Sequence, residues 1–240
     1  MKKNLIFIGI IVILIVGGLF IFKNLTKVSQ KEEVIPKEKI TMPETLKGKK
    51  VAMIIAFRDF RDEEYFVPKE TLKKAGVEIK TASNKMGRAI GADGGDVEVD
   101  LLVSEINPTE FADLQSKSSH DSIQNISSFD AVVFIGGPGC LKYLDNENSY
   151  RVIRETVSQN KVLGSICISP VILAKAGILQ GIKATVWSSP MDRSSVRILQ
   201  DNGAVYQDMA VVIDRKIVTA NGPAAAKKFG EAIGQVLTSK

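Results

Sequence analysis

Apolar and polar positions divide the chain into two unlike parts. Residues 5–22 form an unbroken apolar run of Ile, Leu, Val and Phe, in which Gly9, Gly17 and Gly18 are the small members. The run shows no polar face, and its length approaches the roughly 20 helical residues that cross the hydrocarbon core of a bilayer. A cleaved secretory signal has a shorter apolar region followed by a small-x-small site. No such site follows Phe22, so the pattern predicts a transmembrane anchor over 1–22, with the membrane as partner of residues 5–22. Residues 23–48 are polar, mixed in charge and carry Pro36 and Pro43, which reads as a linker that holds a domain off the surface. Lysines flank the run on both sides and give opposed orientation signals. The very short N-terminal tail favours an extracytoplasmic location for the rest of the chain.

From residue 51 short apolar runs alternate with amphipathic stretches. The runs 51–57, 131–135 and 161–166 are nearly continuous, as in strands buried on both faces. A second strand is expected at 77–82. Residues 64–75, 150–159 and 171–176 read as helices, the first carrying Pro68 and closed by Gly76. Gly91, Gly94 and Gly95 punctuate a short β excursion over 87–106, and 107–128 reads as a polar loop. Strands follow at 184–187, 204–206, 211–214 and 216–219. A closing helix at 223–237 has proline in its first turn. This alternation predicts an α/β fold over 49–240, a flavodoxin-like parallel sheet sandwiched by helices.

Composition narrows the function. The net charge of +5 is concentrated at the N-terminus: residues 1–50 hold ten Lys and four Glu, whereas 51–240 hold 22 basic and 23 acidic side chains. The domain is near neutral and lacks the clustered basic face that phosphate backbones require, so nucleic acid is not an expected partner. Two cysteines are too few for a disulfide framework. His120 is the sole histidine, so a His-rich metal site is excluded and any catalytic triad must recruit that residue. His120 lies in the polar loop, where a solvated role is expected.

The candidate chemistry centres on Ser165-Ile166-Cys167-Ile168-Ser169-Pro170, where a strand pattern runs into a cysteine and a helical pattern follows at once. This is the arrangement of a nucleophile elbow. The helix N-terminus would lower the thiol pKa and favour thiolate; the alternative is a buried structural cysteine. In open α/β sheets, sites form beyond the carboxyl ends of the strands. Segments 57–64 and 136–140 also end there. Gly136-Gly137-Pro138-Gly139 is either a plain turn or a loop whose Gly137 N–H, with that of Ile168, forms a two-donor oxyanion hole. Glu64 either complements the dipole at the start of its helix or faces Cys167, where a neighbouring thiolate would keep it protonated and ready to shuttle protons. Cys140 reads as a small apolar residue, with a resolving thiol as the alternative. Trp187 either lines a pocket or sits in the core, with the core the expected place, and Arg193 and Arg197 are expected on a solvated helical face.

Four ordered motifs carry a resemblance. They are the acidic stretch from Asp59 through Glu64 to Pro68, the run from Phe129 to Gly139, the segment from Ser165 to Leu179, and Val218-Thr219-Ala220-Asn221-Gly222-Pro223. From Lys50 onward the chain resembles the PfpI/ThiJ family, within the class I glutamine-amidotransferase-like superfamily. The resemblance implies that Cys167 is the reactive cysteine, Glu64 its carboxyl partner, and Gly137 and Ile168 the backbone donors. It implies no cofactor, and a homo-oligomer.

One departure matters. Protease-like members carry His directly after the cysteine, where this chain has Ile168, and amidotransferases use a downstream His that is missing after His120. The expectation is therefore a Cys-Glu enzyme of glyoxalase or deglycase type, acting on small reactive carbonyls or a protein substrate. A redox-sensing or binding module is the alternative, and a cysteine peptidase is the weakest of the three.

Overall fold

The fold is that of a computed structural model, which describes residues 45–106 and 128–239. The strands in chain order are β1 (Lys50–Ile55), β2 (Arg58–Phe60), β3 (Glu78–Ser83), β4 (Gly87–Gly91), β5 (Asp96–Val99), β6 (Leu101–Leu102), β7 (Ala131–Phe134), β8 (Val162–Ile166), β9 (Lys183–Ala184), β10 (Val205–Tyr206), β11 (Val211–Asp214) and β12 (Ile217–Ala220). The helices are α1 (Asp62–Lys74), α2 (Cys140–Leu144), α3 (Glu147–Ser158), α4 (Pro170–Lys175), α5 (Ser194–Asp201) and α6 (Ala226–Thr238).

Seven strands form the main sheet in the order β11-β12-β8-β7-β1-β3-β6. All neighbours in it run parallel except the edge pair β11 and β12, so the sheet is mostly parallel and the flavodoxin-like α/β expectation holds. The antiparallel pair arises because Asp214 and Ile217 face each other across a tight turn at Arg215, whose φ is 55°. Such a turn can join only antiparallel strands.

The continuous apolar runs are explained by two cores, one on each face. In β1, Ala52 and Ile54 pack into one core, with α2 to α5. Val51, Met53 and Ile55 pack into the other, with Tyr65 and Leu72 of α1 and Phe229 and Ile233 of α6. Successive side chains of a strand point to opposite faces, so both sets must be apolar. The chain joins this packing from Leu46, which is buried.

A separate three-stranded sheet, β2-β4-β5, carries the expected excursion. Its β4–β5 hairpin is antiparallel, while β2 pairs with β4 in parallel. The expected strand at 184–187 stops at Ala184, because the Trp187 N–H turns away to the Cys167 carbonyl oxygen at 2.8 Å.

The membrane expectation is corrected. Among the described residues no helix is long and apolar enough to cross a membrane, and a single-pass location does not stand. The apolar run 5–22, most of the linker over 23–48, and His120 within 107–127 lie outside the described residues.

Candidate active site

Three neighbouring parallel strands deliver the site. β1, β7 and β8 lie side by side, so the segments after Ile55, Phe134 and Ile166 emerge at one edge. The first leads through β2 into α1 and places Glu64 in its first turn. The second is the glycine loop at 136–139. The third is the elbow, with Cys167 at φ 67°.

A left-handed backbone at a residue with a side chain persists only where surrounding bonds over-determine it. Here the Cys167 N–H donates to the Ala220 carbonyl at 2.9 Å, and its own carbonyl accepts from Trp187. Beneath it Ser169 Oγ is fully buried. It accepts from the Ile166 N–H at 3.0 Å and lies 2.7 Å from Ser165 Oγ and 2.9 Å from the Phe134 carbonyl oxygen. Ser165 and Ser169 thus tie the elbow to the end of β7. Sequence reasoning quoted both serines and gave them no part. Their spacing of four residues around the cysteine was the available signal.

Glu64 is completely buried, and neither carboxyl oxygen meets a partner of full hydrogen-bond geometry. The polar groups that act on it are the Cys167 thiol and the Gly136 N–H. Burial raises the Glu64 carboxyl from 4.5 to about 7, against the lowering pull of Cys167 and of Arg61. Gly136 separates the pair. A Cβ there would lie 2.6 Å from Cys167 Cβ and 2.8 Å from Glu64 Oε2, so any side chain would push the two groups apart.

The thiol departs from the expected activation. Burial first, then the Glu64 charge and its hydrogen bond, push Cys167 up from 9.0 to about 12. The N–H groups of Gly137 and Ile168 pull it down, as the elbow predicts, but they do not prevail. The physical reason is that two buried acids side by side cannot both ionise. Near neutral pH they share one proton and titrate as a unit. The helix that was to supply the dipole, α4, has only six residues.

Gly137 is needed for a different reason from the one its sequence suggested. A Cβ at this position would fall 2.3 Å from the Arg61 backbone nitrogen. The glycine loop packs directly on the turn through Asp59 (φ 60°), with the Arg61 N–H donating to the Gly136 carbonyl at 3.1 Å and the Gly139 N–H to that of Asp59 at 3.0 Å.

The half-buried Cys167 opens onto a cavity of ≈ 350 Å³. Its described lining comprises Arg61, Gly137, Pro138, Leu141, Cys167, Ile168, Trp187 and Pro223. Trp187 is therefore a wall of this cavity, 37% exposed, rather than a core residue. Arg61 was not singled out in the sequence. Cys140 opens α2 and is fully buried among apolar side chains, where desolvation holds its thiol well above the ordinary value. Among the described residues no group of three or more His, Cys, Asp or Glu side chains could hold a metal ion.

The model of the DJ-1/PfpI family matches residues 49–235. An uncharacterized protein of Methanocaldococcus jannaschii is 35% identical over 188 residues, covering 78% of this chain and 82% of that protein. A deglycase of Pyrococcus horikoshii is 30% identical over 172 residues, covering 72% and 90%. Among solved structures, a ThiJ/PfpI domain protein from Brachyspira murdochii superposes with a TM-score of 0.69 at 31% identity, over 81% of this chain and 99% of that one.

Proposed function

This chain belongs to the DJ-1/PfpI family, and we propose that its Cys167–Glu64 pair adds to the carbonyl carbon of small reactive aldehydes, the first step of a glyoxalase- or deglycase-type reaction. Residues 49–240 are the proposed catalytic domain. The observation that carries the reading is a fully buried carboxyl group set against a thiol that opens onto a small cavity. Burial disfavours the charged form of a carboxyl, and groups perturbed in this way cluster at functional sites. The naming of a relative at 30% identity as a deglycase supports the same class.

The pair works with one proton. Above a pH of about 7 Glu64 is the carboxylate and Cys167 the thiol. As the Sγ–C bond forms, Glu64 takes the thiol proton, and the carbonyl π electrons move to oxygen. Glu64 then passes that proton to the oxygen, which leaves a hemithioacetal and the carboxylate as before. The Gly137 and Ile168 N–H groups, which already favour negative charge on sulfur, are the proposed donors to the oxyanion. Trp187 and Leu141 line the cavity that would take the substrate. The expected result is methylglyoxal turnover that Cys167→Ala abolishes. A purified, folded chain that consumes no methylglyoxal and releases no carbonyl adduct from glycated protein would overturn the proposal.

The redox-sensing reading draws on the same donors, which would also hold a sulfinate at Cys167. Cys140 is too deeply buried to serve as its resolving thiol. Selective oxygen addition at Cys167 without carbonyl turnover would favour this reading. A peptidase lacks a histidine among the described residues that line the cavity.

A further inference from the structure

We propose that Arg61 selects compounds bearing a carboxylate beside the reacting carbonyl, so that Cys167 adds to α-oxo acids such as glyoxylate in preference to neutral dicarbonyls and holds them as a reversible hemithioacetal. The inference rests on the carbonyl-addition reading above and assigns a ligand class to its first step.

Arg61 leads into α1 three residues ahead of Glu64, and its N–H is held by the Gly136 carbonyl at 3.1 Å. Its backbone is thereby fixed to the loop that borders Cys167. Arg61 lines the same cavity as Cys167, and among the described lining residues it alone carries a positive charge. The cavity is otherwise walled by apolar side chains and glycine backbone.

The guanidinium is anchored at one corner. Nη1 lies 3.1 Å from each carboxylate oxygen of Asp93, in the turn between β4 and β5. Nε and Nη2 donate to none of the described residues. A guanidinium pinned through one nitrogen keeps its plane and offers the remaining two-nitrogen edge to a planar carboxylate. Two nearby acids do not close that edge. The Asp93 side chain is 55% exposed and its charge is screened by water. Glu64 feels Arg61 through space, and among the described residues Arg61 pairs with Asp93 and not with Glu64.

In the proposed complex the carboxylate takes that edge and the aldehyde carbon takes the place beside Sγ. The Sγ–C bond forms, the thiol proton passes through Glu64 to the former carbonyl oxygen, and the carboxylate leaves the reaction unchanged. No oxidant or reductant is required.

The test uses two reagents with one reactive carbon and different charge. Iodoacetate and iodoacetamide both alkylate thiols, and only the first is an anion. Alkylation of Cys167 in the full chain is followed by intact mass, and the ratio of the iodoacetate rate to the iodoacetamide rate is taken. Arg61→Gln is expected to lower that ratio about tenfold, the loss of a charge-assisted pair. Arg61→Lys keeps the charge without the fork and is expected to lower it about threefold. The wild-type advantage should shrink in ~1 M salt. If Arg61→Gln fails to fold, the Lys variant and the salt series decide alone. A ratio unchanged by substitution and by salt overturns the proposal. So does an equal change in both rates, which would assign Arg61 to holding Glu64. The ratio needs no turnover, so its failure is distinguishable from failure of the carbonyl chemistry, which methylglyoxal consumption reports separately.

Discussion

The two cysteines are placed alike and treated oppositely. Each follows a central parallel strand, β7 or β8, and each stands at the start of a short helix. Cys140 is closed in by apolar side chains, and its N–H completes a turn to the Gly137 carbonyl at 3.0 Å. Cys167 is forced to φ 67°, half exposed, and set against a buried carboxyl. Both thiols are raised by burial, so desolvation does not distinguish them. The distinction lies in the shared proton and the opening to the cavity. A helix start after a strand is thus common to both cysteines, whereas the hydrogen bond to the Glu64 carboxyl belongs to Cys167.

The largest break in this comparison is removal of sulfur. Cys167→Ala should abolish carbonyl turnover, whereas Cys140→Ala should keep it, as measured by methylglyoxal consumption. Gly136→Ala should come close to the same loss with Cys167 intact, because its Cβ would collide with both members of the pair. If that variant folds and keeps full activity, the pair is not the reacting unit.

Glu64→Gln should lower turnover by about 10²-fold or more, the usual contribution of a positioned acid–base group. Its effect on stability has the opposite sense at alkaline pH. The folded chain keeps the Glu64 proton between pH 4.5 and about 7, where the unfolded chain has released it. Stability therefore falls as pH rises through that window, by about 3 kcal/mol in all. Urea unfolding at pH 5 and pH 8 should show this slope in the wild type and its loss in Glu64→Gln, with the variant the more stable at pH 8. A steeper slope in the variant would contradict the burial of an unpaired acid.

Smaller effects test the support. Ser169→Ala leaves the Ile166 N–H and the Phe134 carbonyl without their partner and should cost about 1–3 kcal/mol in urea unfolding. Cys140→Ala, a small truncation in a packed core, should cost about 1 kcal/mol and leave the Cys167 reaction unchanged.

The sheet and the convergence of three segments were legible because both-face burial writes continuous apolar runs, and neighbouring parallel strands end at one edge. β2 was not legible: it is three residues long, and its shape depends on Asp59 lying against the glycine loop, a contact distant in sequence. Five-residue α2 is likewise too short for a helical period to appear. The positions of Cys167 and Glu64 were readable, but their protonation was not. The helix dipole is visible in the local pattern, while the opposing burial comes from strands and helices far along the chain. Arg61 passed unnoticed and Trp187 was assigned to the core for the same reason, since an exposed arginine and a core tryptophan are indistinguishable in sequence from cavity walls.

The shared proton is tested most directly by the pH dependence of Cys167 alkylation with neutral iodoacetamide. In the wild type burial and the Glu64 charge hold the thiol up at about 12, so the rate should climb only at strongly alkaline pH, and Glu64→Gln, which removes that charge, should move the step to lower pH. A step at the ordinary thiol value of ~8.5 in both proteins would contradict the coupling of Cys167 to Glu64.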